Sequence, residues 1–230
     1  MSALNQAFLF STALLTVTSL AAGFFSIGRN PKSKTVWLWF LMNMAIAAWG
    51  TLLYQVVISG ERNNPEAAFF YLKITVSLVP FIPIFFLHFV LAFLRKNVSF
   101  RWVLDMGYVL AITISFVAGF SDLVISDMAK KATFIYWTDP GPLHFISLLY
   151  FWIFVGLAIV FLFRNFQHSD GTIRKKTLYI LLATIVGFIG GGTVWLPELF
   201  GIYPFGQFIT WLYPIFVTYG IFVDKITIRS

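Results

Sequence analysis

Ionisable and polar side chains within apolar segments are the first candidates for chemistry, because burying them in lipid is costly. Lys73 and His88 lie in one long apolar segment, and Asn43 and Gln55 lie in the segment before it. His88 is predicted to make an interhelical hydrogen bond rather than to relay protons. Because the chain has no cysteine and no cluster of carboxylates and histidines at ligand spacing, it predicts no catalytic residue, no metal site and no cofactor.

Aromatic and charged residues are concentrated in two other segments, ATFIYWTDPGP within 121–142 and WLPELFGIYPFG at 195–206. The first of these is a β-prone aromatic run that ends in a turn signal. A single aromatic residue at the membrane surface is usually part of the interfacial belt. As a group, these residues predict an outward-facing pocket for a small or lipid-like ligand. Lys73 is expected to reach the outer surface or to pair with an outer acid such as Glu198. The candidate pocket residues are Lys73, Tyr136, Trp137, Trp195, Glu198, Tyr203 and Trp211.

Prolines and glycines mark places where apolar helices can bend. SLVPFIPIFF and WLYPIF each predict a kink, because proline removes a helix hydrogen bond. The run GFIGGG at 187–192 is read either as a close helix–helix contact, which we favour, or as a flexible point. The candidate hinge residues are Pro80, Pro83, Gly190, Gly191, Gly192 and Pro214.

The elements that position these residues follow from the composition. Of 230 residues, 59% are hydrophobic and only 11% are charged, whereas soluble domains are about 25% charged. This excludes a soluble enzyme and a nucleic-acid-binding protein, so the lipid bilayer is the predicted environment and no nucleic acid is a predicted partner. The net charge of +7 is therefore interpreted as a signal of membrane topology.

Seven apolar blocks recur, each long enough to cross a bilayer as a helix. The sequence thus predicts an all-α membrane protein, a seven-transmembrane helix bundle over residues 1–223, with 224–230 beginning a cytoplasmic output linker. The amino terminus lacks the basic region of a signal peptide, so the first block is predicted to stay in the membrane. The predicted spans are 6–27, 36–58, 67–94, 102–120, 143–163, 177–195 and 205–223.

Lysine and arginine give the expected orientation. Twelve of the sixteen lie in the first, third and fifth loops or after the last span, which places those segments in the cytoplasm. Six of the nine acids lie on the opposite side. The amino terminus is therefore predicted outside and the carboxyl terminus inside, as in a multi-pass protein of the cell membrane.

These features bear on two other classes of membrane protein. A retinal protein is excluded, because the last span holds no lysine before Lys225 at its cytoplasmic edge. The alternative that stays open is a stand-alone transporter, or a membrane subunit that works with a partner, and a transporter must show solute flux in liposomes. Spans one to three show no clear match to spans five to seven, which weakens a repeat-based carrier.

Four segments carry a resemblance by their order and spacing: FLMNMAIAAWG, VPFIPIFFLHFVLAF, PGPLHFISLLYF, and IRKKTLYILLATIVGFIGGG followed by LPELFGIYP. Together they resemble the N-terminal seven-transmembrane sensory region of bacterial and archaeal histidine kinases. The resemblance implies a receptor that senses a ligand or the membrane state and signals through its last helix to a cytoplasmic kinase. It also implies a homodimer.

The chain departs from a complete kinase in its own residues. None of its three histidines lies in a phosphoacceptor motif, and it has no glycine-rich ATP-binding segment, so no enzymatic activity is predicted for this chain. The output domain is expected outside it. The predicted movement tilts or rotates the last two spans about 190–192 and Pro214 and leaves the membrane through 224–229.

Overall fold

A computed structural model describes the backbone of residues 1–227 and the side chains of residues 1–222. The expected output linker at 224–230 lies outside the residues with described side chains, and 228–230 lie outside the described chain altogether.

The described chain is a bundle of apolar helices. Six segments are long and apolar enough to cross a membrane, when α3 is counted with α4 and α7 with α8, and the apolar part of α9 is shorter. The helices are α1 (Ala3–Arg29), α2 (Lys34–Glu61), α3 (Pro65–Leu78), α4 (Phe81–Phe93), α5 (Arg101–Phe120), α6 (His144–His168), α7 (Gly171–Gly192), α8 (Leu196–Phe200) and α9 (Leu212–Thr227).

Polar residues just before the apolar blocks begin several of these helices. The Ser2 hydroxyl accepts a hydrogen bond from the Asn5 amide, and the Asn64 carboxamide oxygen accepts one from the Ala67 amide. Such side-chain caps satisfy amide groups that the first helical turn leaves without partners. Lipid provides no such partners, so these caps fix where the spans begin.

The predicted third span is interrupted at Pro80. Helix α3 ends at Leu78 and α4 begins at Phe81. The Tyr150 hydroxyl lies 3.2 Å from the Pro80 carbonyl oxygen and 3.0 Å from that of Gly107, so α6 supplies a polar partner at the break. Pro83 lies in the first turn of α4, where a missing amide costs no helix hydrogen bond.

The last span differs from its predicted form. Residues Phe205–Ile209 form a 3-10 turn, and α9 begins only at Leu212. Pro214 therefore lies in the first turn of α9, where proline fits without a kink. The expected bend at Pro214 is replaced by a break in the helix before it.

A β-hairpin makes the chain more than an all-α bundle. Strands β1 (Ile125–Lys131) and β2 (Phe134–Pro140) pair antiparallel between α5 and α6. The run FIYWT is rich in the aromatic and β-branched residues that favour strands, and the Lys131 ammonium lies 2.9 Å from the Asp139 carboxylate across the pair. We call this end of the bundle the hairpin end and the opposite end, with most basic loops, the basic end.

Burial follows the expectation for a bundle in lipid. Trp39, Phe86 and Phe89 are fully buried between helices. Large apolar side chains such as Phe10 and Phe116 are exposed instead, on the outer surface that faces lipid. The core therefore lies along the bundle axis and extends under the hairpin, where Phe134 is also buried.

Candidate functional site

A cavity of about 100 Å³ lies within the bundle near the hairpin end. Its wall is formed by β2, by helices α1–α4 and α6–α8, by the turn between α7 and α8, and by residues at the start of α9. Lining residues on α6 run from His144 to Phe151, which is about 10 Å along a helix axis. The cavity thus extends from the hairpin into the apolar interior.

The end of the cavity under the hairpin is polar. His144 Nε2 lies 2.8 Å from Glu198 Oε1, and the two residues are only 3% and 9% exposed. The two groups are in contact but not aligned as a hydrogen bond. Because each bears a titratable group away from water, neither is stable as an isolated charge, and the pair holds both in place.

Besides the two atoms in this contact, two buried polar atoms of cavity-lining residues have no hydrogen-bond partner among the described residues. They are Trp137 Nε1 and His144 Nδ1. An indole nitrogen can only donate a hydrogen bond, whereas a histidine ring nitrogen donates or accepts according to its tautomer. Buried groups of this kind are normally satisfied, and both of these atoms belong to residues of the cavity wall.

Local backbone geometry brings His144 to the cavity. The Gly141 amide donates to the Val124 carbonyl, and the Leu143 amide donates to the Leu123 carbonyl. A Cβ atom at Gly141 would lie 2.5 Å from the Asp122 carbonyl oxygen, so only glycine permits this approach. The close contact fixes the start of α6, whose first residue is His144.

Glu198 is positioned by the short helix α8. Pro197 occupies the first turn of α8, where it suits the helix, and Gly201 ends the helix with φ of 68°, the left-handed conformation that glycine favours. Glu198 is thereby directed inward towards His144 while Phe200 stays exposed.

The other end of the cavity is apolar and reaches the last helix. Leu15, Ile46 and Phe188 contribute apolar walls, and Thr210 and Tyr213 line it from the segment that leads into α9. The cavity therefore contacts the helix that the sequence interpretation places on the signalling path.

The structure brings together three of the seven predicted pocket residues. Trp137, Trp195 and Glu198 line the cavity, whereas Lys73 does not. Lys73 pairs with Asp122 at 2.9 Å rather than with Glu198, and it also contacts the Ser121 and Ile125 carbonyl oxygens. Its role in the structure is to hold the junction of α5 and β1 against α3.

Two of the other three predicted pocket residues brace the hairpin end, and the third makes a local contact. The Tyr203 hydroxyl donates to the Leu4 carbonyl at 2.6 Å, its ring stacks on Phe134, and burial raises the pKa of its phenol. Tyr136 reaches Asn63 at 3.3 Å, and the Trp211 indole donates to the Phe208 carbonyl. None of the three is part of the cavity wall.

The glycines of α7 lie at close helix contacts. A Cβ atom at Gly190 would lie 2.8 Å from the Gly206 carbonyl oxygen, and one at Gly192 would lie 2.7 Å from Trp152. Gly191 differs, since a Cβ atom there would meet only Thr210, at an ordinary 3.8 Å. Gly191 lines the cavity, so an added methyl group has room there.

The comparison with known families agrees with this architecture. A family model described as the N-terminal 7TM region of histidine kinase matches residues 8–227. The chain belongs to this family. The resemblance read from the sequence is confirmed over nearly the whole length, and the chain is a multi-pass membrane sensor region of the kind that histidine kinases carry. No curated protein gives a significant match.

The polar residues predicted within the membrane lie away from the cavity in this sensor region. His88 Nδ1 contacts the Tyr108 hydroxyl at 2.8 Å, the interhelical hydrogen bond that the sequence favoured. The Asn43 side-chain amide donates to the Trp39 backbone carbonyl one turn earlier, and Gln55 is half-buried in α2. Among the described side chains, no group of three or more potential metal ligands is brought together.

Three residues that line the cavity of the sensor region were not predicted from the sequence: His144, Thr138 and Ser147. The sequence held one indication that His144 belongs to a site, because it is one of only three histidines and directly follows PGPL at the start of a span. Its partner Glu198 is 54 positions further along the chain, and that pairing depends on how α8 packs against β2 near the start of α6.

Proposed function

We propose that the cavity is the ligand site of a sensor region in the cell membrane, which passes its signal through α9 to a cytoplasmic histidine kinase. The observation that carries this proposal is the position of the cavity. Its polar end holds His144 and Glu198 under the hairpin, and its apolar end includes Tyr213 in the first turn of α9. A molecule bound there contacts the start of the output helix directly.

The proposed orientation puts the hairpin end outside. The loops at the basic end carry most of the lysine and arginine, and short loops rich in these residues stay in the cytoplasm. The polar end of the cavity then lies near the outer surface. In this orientation α9 runs towards the cytoplasm, and 224–230 begin the output linker.

The proposed signal is a tilt or rotation of α9 relative to α7. Gly187 of α7 lies against Tyr213 of α9, and Gly190 lies against Gly206 in the 3-10 turn that precedes α9, so these elements are in close contact next to the cavity. A ligand shifts the balance of two arrangements only by its difference in affinity for them. We assign the flexible point for this movement to the glycines 190–192 and to the break before Pro214. Pro80 and Pro83 form a second flexible point.

A substitution that fills the cavity tests this function without a known ligand. Gly191→Ala adds a methyl group where there is room, and Gly191→Leu adds a larger side chain. We expect either to mimic partial occupancy and to change the basal autophosphorylation of the native kinase severalfold, measured in isolated membranes.

The matched control is Gly156→Ala in α6, since a Cβ atom at Gly156 meets nothing within 4 Å. It should leave kinase output unchanged. Wild-type output from both Gly191 variants, at wild-type protein levels, would contradict a signalling role for the cavity.

The family resemblance also supports a homodimer as the working unit. Crosslinking in native membranes should capture a species of twice the protomer mass. Capture of monomer alone, at a crosslinker concentration that joins a known membrane dimer, would remove the dimer from this proposal.

A further inference from the structure

We propose that the ligand of this cavity is a small neutral alcohol, with its hydroxyl group at Trp137 and His144 and an unbranched chain of three or four carbons directed towards Tyr213. This inference rests on the proposed function, because it takes the cavity to be the sensing site. It goes further by naming the chemical class that the wall selects.

The charges of the wall favour a neutral ligand. His144 and Glu198 are the charged-type side chains in the wall, and they are in contact with each other. The described side chains offer no further lysine, arginine or acid in the cavity to balance a ligand charge. An unbalanced charge in such a site costs several kcal/mol or more, so a carboxylate or an ammonium group is disfavoured.

The unpartnered atoms favour a hydroxyl group. Trp137 Nε1 needs a hydrogen-bond acceptor, and His144 Nδ1 needs an acceptor or a donor. Both residues are almost completely buried, at 3% exposure each, so bulk water does not satisfy them. A hydroxyl group donates one hydrogen bond and accepts others, which lets it meet either need. An ether lacks the hydrogen-bond donor, and an alkane lacks both the donor and the acceptor.

The volume limits the chain length. An apolar cavity of about 150 Å³ holds one benzene molecule. The present cavity of about 100 Å³ then holds roughly four or five non-hydrogen atoms, which corresponds to propanol or butanol. The wall extends about 10 Å along α6, which is shorter than one leaflet of a hydrocarbon core about 30 Å thick. A membrane lipid chain is therefore too long to lie wholly within the cavity.

The test measures the indole resonance of Trp137 directly. The chain has eight tryptophans, so 15N-indole labelling of the full chain in phosphatidylcholine nanodiscs gives few signals. The Trp137 signal is identified by its loss in Trp137→Phe. Addition of n-butanol should move this resonance saturably downfield as the indole N–H gains an acceptor. Trp102→Phe is the matched control, because Trp102 is 70% exposed and lies outside the cavity, and that variant should keep the response.

A series of alcohols separates the cavity from the bilayer. From ethanol to butanol, the dissociation constant should fall about fourfold for each added methylene. Hexanol and octanol should bind no more tightly than butanol. An affinity that increases evenly up to octanol would indicate partition into lipid and would overturn the proposal.

Charged and apolar analogues of similar size complete the test. n-Butylamine and butyrate should leave the Trp137 signal in place, and xenon should bind without the downfield shift. Tight binding of butylamine that is lost in Glu198→Gln would identify a cation site and overturn the alcohol assignment.

The outcomes for the two proposals differ. If xenon occupies the cavity and Gly191→Ala alters kinase output while no alcohol shifts Trp137, the ligand class is wrong and the sensing cavity stands. If butanol binds as expected but both Gly191 variants signal normally, the site exists and its signalling role fails.

Discussion

The contact between His144 and Glu198 is the residue-level feature on which the site depends. Both side chains are buried, and their side-chain exposures are 4% and 2%. Buried pairs of this kind seldom add stability over apolar residues of similar size, but losing one partner leaves an uncompensated group. The pair is therefore better explained by binding or specificity than by stability.

Single and double substitutions test this interpretation. We expect His144→Leu and Glu198→Leu each to lower the free energy of unfolding by about 3–5 kcal/mol, because each leaves its partner buried and unpaired. The double variant should recover most of that loss. Denaturant titration of the purified protein in detergent measures all three values.

The Lys131–Asp139 pair of the hairpin provides the comparison. It is partly exposed, so Lys131→Met and Asp139→Asn should each cost no more than about 1 kcal/mol. If the double His144 and Glu198 variant lost as much stability as the two single losses added together, the two residues would not act as a pair.

At the level of elements, the hairpin covers the polar end of the cavity and joins α5 to α6. The ring of Phe134 stacks on Trp137 at 4.3 Å and contacts Phe8 at 5.1 Å, which attaches β2 to α1. Lys73 holds the start of β1 against α3. The hairpin is thus fixed at both of its ends, and it positions Trp137 in the cavity wall.

Gly141→Ala tests the close approach that ends the hairpin. The new Cβ atom would lie 2.5 Å from two backbone carbonyl oxygens, which cannot move as a side chain can. We expect a loss of about 1–3 kcal/mol in stability, as is usual for overpacking, together with faster proteolysis within 121–143.

Gly28→Ala is the control for this substitution, because a Cβ atom at Gly28 meets nothing within 4 Å. It should be neutral or slightly stabilising, since alanine favours helix over glycine. Equal stability of the Gly141→Ala protein and the wild type would mean that the approach is not tight in solution.

The sequence predicted more of the fold than of the site, for a physical reason. Apolar length and proline position are local, so the helical bundle and the break at Pro80 could be predicted. The hairpin was visible only as a β-prone run, because its register depends on packing against the bundle. The His144–Glu198 contact joins residues 54 positions apart, and no local pattern specifies such a pair.

Lys73 illustrates the same limit. A lysine near a membrane surface has several acids within reach of its long side chain, and sequence does not rank them. The short turn between α5 and β1 places Asp122 next to it, which decides the partner.

At the level of the whole molecule, the orientation in the membrane is the most accessible expectation to test. The chain has no cysteine, so single cysteines can be introduced without background. Ser126 at the hairpin end and Ser99 between α4 and α5 are both exposed. In intact cells, a membrane-impermeant maleimide should label Ser126→Cys and should label Ser99→Cys only after lysis. The reverse pattern would invert the proposed topology.

The size of the native protein tests its connection to a kinase. An antibody against 121–142 should detect, in native membranes, a species much larger than the 26.2 kDa of this chain. That result would place the sensor region and its output domain on one polypeptide. A native band at 26.2 kDa would require a separate partner for signalling, and would make flux assays in liposomes the next measurement.

Helix α9 runs without interruption from Leu212 to Thr227, so it sets an angular phase for any domain that continues it. Each residue of an α-helix turns the chain by about 100°. One residue inserted into a helix that continues α9 would rotate a fused kinase by about 100°, and seven would return it to within about 20° of its starting direction. Kinase output from a graded set of fusions should therefore vary periodically with linker length.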